Sequence, residues 1–387
     1  MMPDIFNHYP MFIDQETGYK SNFLIDFAKL KRRPTDDYIR KVLTNQFDHD
    51  LYNLFFSQFD PSQIQFLEGV VCDYTTPKIN TIENYNLSDL KSDMLDILTK
   101  KLKPLSNQKA ILFLSCGVDS LLLLHICLEL NIKLKCIYVA SLYNKDEIED
   151  ICRIRDQYNI DVEIIDNYDP LVPDQDYYRY FHYNPSFQLL GAIGPVRYYN
   201  ILKDPMYSEY KYVLTGHEVE VTLDMLDPAI YNSASDQTQF KNYNKIYGKY
   251  VNYTFNQQTK QSIENLFNYS RYERVIKRLT MCRDYAVNEL LTGKHYVKPY
   301  KNEKLVSATL SLSNEDVIAN AYKIPSYEIL DDVWNFKTPH KPVYGNTHKY
   351  EKSFNMLEHR MDDPRVNTLQ TNNKVWLKNY MIQYNKY

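Results

Sequence analysis

Five consecutive apolar residues, Ala110-Ile111-Leu112-Phe113-Leu114, end in Ser115-Cys116-Gly117-Val118-Asp119-Ser120 and pass directly into Leu121-Leu122-Leu123-Leu124. No other stretch of the chain restricts its fold so tightly. A strand that is apolar along its whole length has both faces covered, the condition of a central strand in a parallel sheet. A small loop after such a strand, opening straight into a helix, is the βα turn of a doubly wound α/β sheet.

The next hundred residues repeat the alternation. The spacing predicts strands over 110–114, 135–139, 162–165 and 210–214, with helices over 120–130, 145–158 and about 187–202 between them. A loop rich in Tyr, Asp and Pro spans 166–185. Ahead of the first strand, Ser88 is the expected N-cap of a helix that carries Leu90, Met94, Ile97, Leu98 and Leu102 at helical spacing and stops at Pro104. Residues 1–86 mix aromatic and polar residues, with a helix expected over 36–56 and a strand over 64–71. They form a small accessory N-terminal domain in this reading, and 87–387 the second unit. Beyond 222 the pattern is helical and less regular.

A helix that begins at the loop offers unpaired N–H groups and the positive end of its dipole to an anion. Gly117 permits close backbone approach, Ser115 and Ser120 supply hydroxyls, and Asp119 can hold magnesium against phosphates. The plainer alternative is a strand–turn–helix with a serine cap and a carboxylate that only complements the dipole.

Glycine usage sharpens the choice. Nine occur, where average usage would give roughly 27, and Gly117, Gly191, Gly194 and Gly216 all lie in this half of the chain. The 45 basic and 49 acidic residues leave a net charge of −4, so no general attraction to nucleic acid is built in, although local patches remain open. The run Tyr177-Tyr178-Arg179-Tyr180-Phe181-His182-Tyr183 interleaves aromatic and basic residues as a stacking surface does. In a chain with 36 tyrosines a packed or lid loop explains it as well. Six scattered cysteines without a CxxC pair fit reduced thiols in a cytoplasmic protein. No secretory signal is expected at Met1-Met2-Pro3-Asp4, and the most apolar window, 110–130, is interrupted by Asp119 and His125, so no membrane span is expected.

Ser115-Cys116-Gly117-Val118-Asp119-Ser120 resembles the SGGxDS loop of the PP-loop ATP pyrophosphatases, the adenine nucleotide alpha hydrolase-like (HUP) class. Further segments follow in the order found in the synthetase domain of asparagine synthetase and its β-lactam synthetase and lasso-peptide cyclase relatives. Gly191-Ala192-Ile193-Gly194-Pro195 is similar to a small-residue stretch of that family, and Val213-Leu214-Thr215-Gly216-His217-Glu218-Val219-Glu220 to its LSGEGADE motif. Arg278-Leu279-Thr280-Met281, Pro299-Tyr300-Lys301-Asn302-Glu303-Lys304-Leu305-Val306 and Lys349-Tyr350-Glu351-Lys352 resemble later segments, the second of them PFLDxxLV. The collinear stretch runs from about 87 to 360.

The resemblance implies cleavage of ATP to AMP and pyrophosphate, activation of a small-molecule carboxylate as an acyl-adenylate, and attack by ammonia or an amine to form an amide. It implies ATP and Mg2+ as cofactors and places the nucleotide against Leu114, Ser115, Cys116, Gly117, Val118, Asp119, Ser120, Val139, Thr215 and Gly216. Asp119 and Glu220 would bind the metal, Lys352 the leaving pyrophosphate, and His217 or Glu218 would handle protons. Cys116 replaces the first loop glycine, His217 the first carboxylate of the second motif, and the Glu-x-Arg before Pro299 is missing. Position 2 is Met and the first cysteine is Cys72, so no N-terminal glutaminase is expected, and nitrogen comes as free ammonia, from a separate ammonia-supplying protein, or from an amine. Two rivals stand beside this: a PP-loop enzyme acting on a nucleobase or nucleic acid, and a nucleotide-binding or assembly protein whose chemistry has degenerated.

Overall fold

The computed structural model describes residues 6, 9–43, 65–73, 76–140, 147–165, 181–185, 193–216, 222, 270–280, 285–313, 315–317, 324–333 and 368–387. The chain is α/β. Its main sheet contains five parallel strands, β4 (Lys109–Phe113), β5 (Lys133–Val139), β6 (Val162–Ile165), β7 (Tyr212–Leu214) and β8 (His295–Val297), in the spatial order β6-β5-β4-β7-β8. The chain steps outward from β4 through β5 to β6, then crosses to the other side of β4 to lay down β7 and β8. That reversal makes the crevice between the carboxyl ends of β4 and β7 the topological switch point, where ligands of open α/β sheets bind.

Pleat alternation divides the core into two layers. Ala110, Leu112 and Leu114, with Cys136, Tyr138 and Leu214, face helices α2 (Leu87–Leu102), α3 (Val118–Glu129) and α4 (Ile148–Tyr158). Ile111, Ile137, Val139 and Val213 face the opposite way, onto Tyr198, Ile201 and Leu202 of α5 (Ile193–Leu202). Crossover helices thus lie on one face before the reversal and on the other after it. Helix α3 is covered almost all round, with Leu121, Leu122, Leu123 and Leu124 each fully buried; each contributes roughly 1.5–3 kcal/mol by leaving water.

Helix α2 follows the expected spacing, but its cap is Asn86 rather than Ser88. Asn86 Oδ1 accepts from the amides of Ser88 (2.8 Å) and Asp89 (3.1 Å), while Asp89 Oδ2 accepts from the Asn86 amide at 3.0 Å. This reciprocal box satisfies three donors, whereas Ser88 stands inside the helix as a recipient of the cap. Asparagine also takes over from the scarce glycine. Asn84, Asn107, Asn131 and Asn159 all have left-handed backbone, with φ between 47° and 64°, a region this short polar side chain tolerates.

A second, antiparallel sheet holds β1 (Phe12–Asp14), β2 (Lys20–Ser21) and β3 (Val70–Cys72) in the order β2-β1-β3. The helix expected over 36–56 is described only as α1 (Asp36–Leu43). Of the strand expected over 64–71 only 70–71 are strand, as the start of β3, while Leu67 makes an isolated bridge to Pro34 and Glu68 and Gly69 form a turn whose Gly69 has a φ of 69°. The core under this sheet joins Phe12, Phe27, Tyr38, Phe66 and Val70 to Trp376 and Tyr380 of the last helix, α10 (Thr368–Lys386). Tyr38 donates to Asn373 Oδ1 at 2.8 Å, and Tyr380 to the Arg32 carbonyl at 2.6 Å. The two ends of the chain therefore share one core, although the sequence grouped residues 368–387 with the second unit.

Helices α6 (Arg271–Thr280), α7 (Tyr285–Thr292), α8 (Glu303–Ser311) and α9 (Ile324–Val333) supply the helical C-terminal part. Strand β8 falls where the sequence predicts only helix. It is three residues long and follows Gly293, whose φ of 65° ends α7; so short a strand has too few positions to show a period of two. No helix among the described residues is long and apolar enough to cross a membrane.

Candidate functional site

The loop after β4 is shaped by its own serines. Ser120 Oγ lies 2.9 Å from Ser115 Oγ, accepts from the Ser115 amide at 3.1 Å, and is within donating distance of the carbonyls of Ser115 (2.8 Å) and Gly117 (3.0 Å). Ser115 Oγ also accepts from the Gly117 amide at 3.2 Å. The hydroxyls thus hold the turn in a preformed curve. Gly117 is the N-cap of α3 with an ordinary φ of −73°. Its lack of a side chain serves space rather than backbone angle, since a Cβ there would stand 3.1 Å from Ser115 Oγ.

Val118, Asp119 and Ser120 form the first turn of α3 and are all buried. The Asp119 carboxylate sits on the favourable end of the helix dipole with 9% of its surface exposed. Behind it, the fully buried Tyr300 donates to the Asp119 carbonyl at 2.8 Å. Burial, and secondarily the charge of Asp119, hold the Tyr300 phenol well above its usual range, so it remains a donor. Cys116 is turned into the core on the α2–α3 side, its Sγ 3.7 Å from the Glu147 carbonyl. The small buried side chain fills space against that core.

The loop after β7 completes the crevice. A Cβ on Gly216 would lie 3.6 Å from Asp119 Cβ and 3.7 Å from the Ser120 amide nitrogen, so residues 215–216 stand in contact range of the first turn of α3. Thr215 is 1% exposed, and its Oγ1 has no hydrogen-bond partner among the described residues. An unmade hydrogen bond at a buried hydroxyl costs about 1–3 kcal/mol, which makes this oxygen a candidate ligand contact. Val139 ends β5 at the same carboxyl edge, packed in the layer facing α5.

Of the residues the sequence nominated, Leu114, Ser115, Cys116, Gly117, Val118, Asp119, Ser120, Val139, Thr215 and Gly216 lie along this one edge. His217, Glu218, Glu220 and Lys352 lie outside the described residues. Tyr300 enters the neighbourhood without having been nominated for it. The residues of the aromatic run that are described belong to the packing: Phe181 is buried, and the Tyr183 carbonyl accepts from the Ile25 amide at 3.1 Å and from Trp376 Nε1 at 3.3 Å.

No family model matches the chain, and no curated protein matches it. Among solved structures it is similar to the NH3-dependent NAD synthetase from Campylobacter jejuni subsp. jejuni, determined in complex with nitrate ion. The identity is 17%, the match covers 54% of this chain and 93% of that one, and the TM-score is 0.25. So low a similarity carries no conclusion about activity.

Proposed function

We propose that the chain binds ATP with magnesium in the crevice between β4 and β7 and cleaves it to AMP and pyrophosphate while activating a carboxylate for amide formation. The observation that supports this most is the placement of the 115–120 turn at the start of α3, on the central strand of a reversing parallel sheet, with the buried Thr215 hydroxyl beside it.

The nucleotide's phosphate oxygens lie against the turn at the start of α3, and its base lies toward the end of β5 near Val139. Magnesium bound through one or two carboxylates and phosphate oxygens needs no larger protein cage. Asp119, buried at the crevice, fits the first ligand, and Glu220 is the proposed second. The metal supplies charge neutralisation on the phosphates. A carboxylate oxygen of the acceptor attacks the α-phosphorus, the bond to the β-phosphate oxygen breaks, and pyrophosphate leaves; ammonia or an amine then displaces AMP from the acyl carbon. Lys352 is assigned to the leaving pyrophosphate, and His217 or Glu218 to the proton lost by the attacking nitrogen. Orientation of the two reactants and fixed charges around the phosphates supply most of the rate.

The test is incubation with magnesium-ATP and a panel of carboxylic acids, aspartate first, with exchange of labelled pyrophosphate into ATP as the readout. Exchange dependent on one acid is the expected result. ADP as the nucleotide product overturns the assignment, and tight ATP binding without exchange or turnover favours a nucleotide-binding protein that has lost the chemistry.

A further inference from the structure

Phe12, Tyr9 and Phe6 mark a path from the N-terminal layer to the segment that follows β8. Phe12 lies in the core under the second sheet, whereas Tyr9 packs against the layer between the main sheet and α5. Tyr9 donates its hydroxyl hydrogen to Glu289 Oε1 on α7 at 2.7 Å, and the same oxygen accepts from the Tyr296 amide of β8 at 2.9 Å. Phe6 is buried among Ile79, then Val275, Ile276 and Leu279 of α6, and Val306 of α8.

The same two rings meet lysines of the segment beyond β8. Lys298 Nζ lies 5.2 Å from the centroid of the Tyr9 ring, and Lys301 Nζ 5.8 Å from that of Phe6, within the range at which an aromatic face attracts a cation. Phe6 and Tyr9 therefore seat on positions 301 and 298 in reverse chain order. Between those two lysines stands the fully buried Tyr300, whose hydroxyl holds the Asp119 carbonyl in the first turn of α3. The Asn302 amide donates to the Tyr300 carbonyl at 2.8 Å, and Asn302 Oδ1 caps α8 by accepting from the Lys304 amide at 2.9 Å. The stretch that carries Tyr300 is thus held by the N-terminal residues at both lysines and by the cap of α8 behind it.

We infer that Phe6 and Tyr9 are positioning residues for the phosphate loop: they strap the 298–301 segment in place, and through Tyr300 they fix the first turn of α3, where the phosphates bind. The strap stands on the contacts above, and its purpose rests on the ATP reading. A site whose supporting contacts are loosened loses precision without losing any group that touches the ligand, so the N-terminal layer serves the crevice from outside it.

The test is amide hydrogen exchange of the full chain without nucleotide, read by mass spectrometry in the parent, Tyr9→Phe, Phe6→Ala and Phe6→Leu. The reporter is the stretch 115–123, where the Ser120 and Leu121 amides donate to the Gly117 carbonyl at 3.1 and 3.2 Å. Tyr9→Phe keeps the ring over Lys298 and removes one hydrogen bond to a carboxylate, so exchange over 115–123 should quicken about tenfold while that of β5 at 133–139 keeps the parent rate. Phe6→Ala should quicken it about tenfold to a hundredfold, and Phe6→Leu, which refills most of the space, should recover most of the protection. Parent-like exchange over 115–123 in both Tyr9→Phe and folded Phe6→Ala overturns the strap, and Tyr9→Phe decides alone if Phe6→Ala does not fold. Equal acceleration over 115–123 and 133–139 is a general loosening and overturns it as well. Calorimetric titration of the same variants with magnesium-ATP should show affinity falling about tenfold in Tyr9→Phe; faster exchange with unchanged affinity overturns the positioning role. A parent chain that binds no magnesium-ATP overturns the ATP reading, and the strap is then decided by the exchange alone.

Discussion

Tyr300 donates its hydroxyl hydrogen to the backbone carbonyl of Asp119 at 2.8 Å, across 181 positions of sequence. The bond joins the segment after the edge strand β8 to the first turn of α3 on the central strand. Tyr300→Phe keeps the ring and removes the bond, so stability should fall by about 1 kcal/mol. Tyr300→Ala adds a cavity and should cost about 3–5 kcal/mol. Urea unfolding midpoints measure both, and a Phe variant as stable as the parent would show that the bond adds nothing net.

Ser120→Ala removes the atom on which the loop's hydrogen bonds converge. The Ser115 amide loses its acceptor, and a loss of about 1–3 kcal/mol follows. ATP affinity should fall with it, because the turn is no longer held in its curve. Paired denaturation and ATP-binding measurements check this; lowered stability with unchanged ATP affinity would place the nucleotide elsewhere.

Asp119→Asn changes charge with almost no change of shape. If Asp119 holds magnesium, pyrophosphate formation should drop about a hundredfold or more, and the magnesium concentration for half-maximal rate should rise. Tyr300 bonds the Asp119 carbonyl rather than its side chain, so the unfolding midpoint should move little. Initial rates against magnesium concentration decide it.

Asp14 predicts an acid-sensitive contact in the N-terminal layer. Burial works against its ionisation, but hydrogen bonds from Arg32 and from the Thr17 amide and hydroxyl outweigh it and hold the pKa at about 2, below the ordinary 3.8. A depressed carboxylate contributes its full stabilisation above the unfolded value and loses it as pH falls through the folded one. The stabilisation should therefore be complete above about pH 4 and disappear toward pH 2. Asp14→Asn should be less stable at neutral pH and show a shallower decline across that window, read from thermal unfolding at stepped pH.

The strand–loop–helix unit at residues 109–129 is legible because its determinants are local. An unbroken apolar strand, small loop residues and a leucine-rich helix state their environment within twenty positions. β6 is realised as Val162–Ile165, the span predicted from its apolar run. The cap at Asn86 was equally local, but Asn86 and Ser88 are both good capping residues, and only backbone geometry chose between them.

By itself the sequence determined the alternating elements, the two-faced core and the loop that opens α3, since each follows from the periodicity of neighbouring residues. Tertiary structure alone decided that Leu214 and Val297 become neighbours, that Tyr300 reaches Asp119, and that Trp376 closes the core over Phe12 and Phe27. These depend on strand order and on the direction in which the chain reverses about β4. Local patterning constrains such long-range choices only weakly, because the same apolar strand satisfies its two faces whichever neighbours pair with its edges.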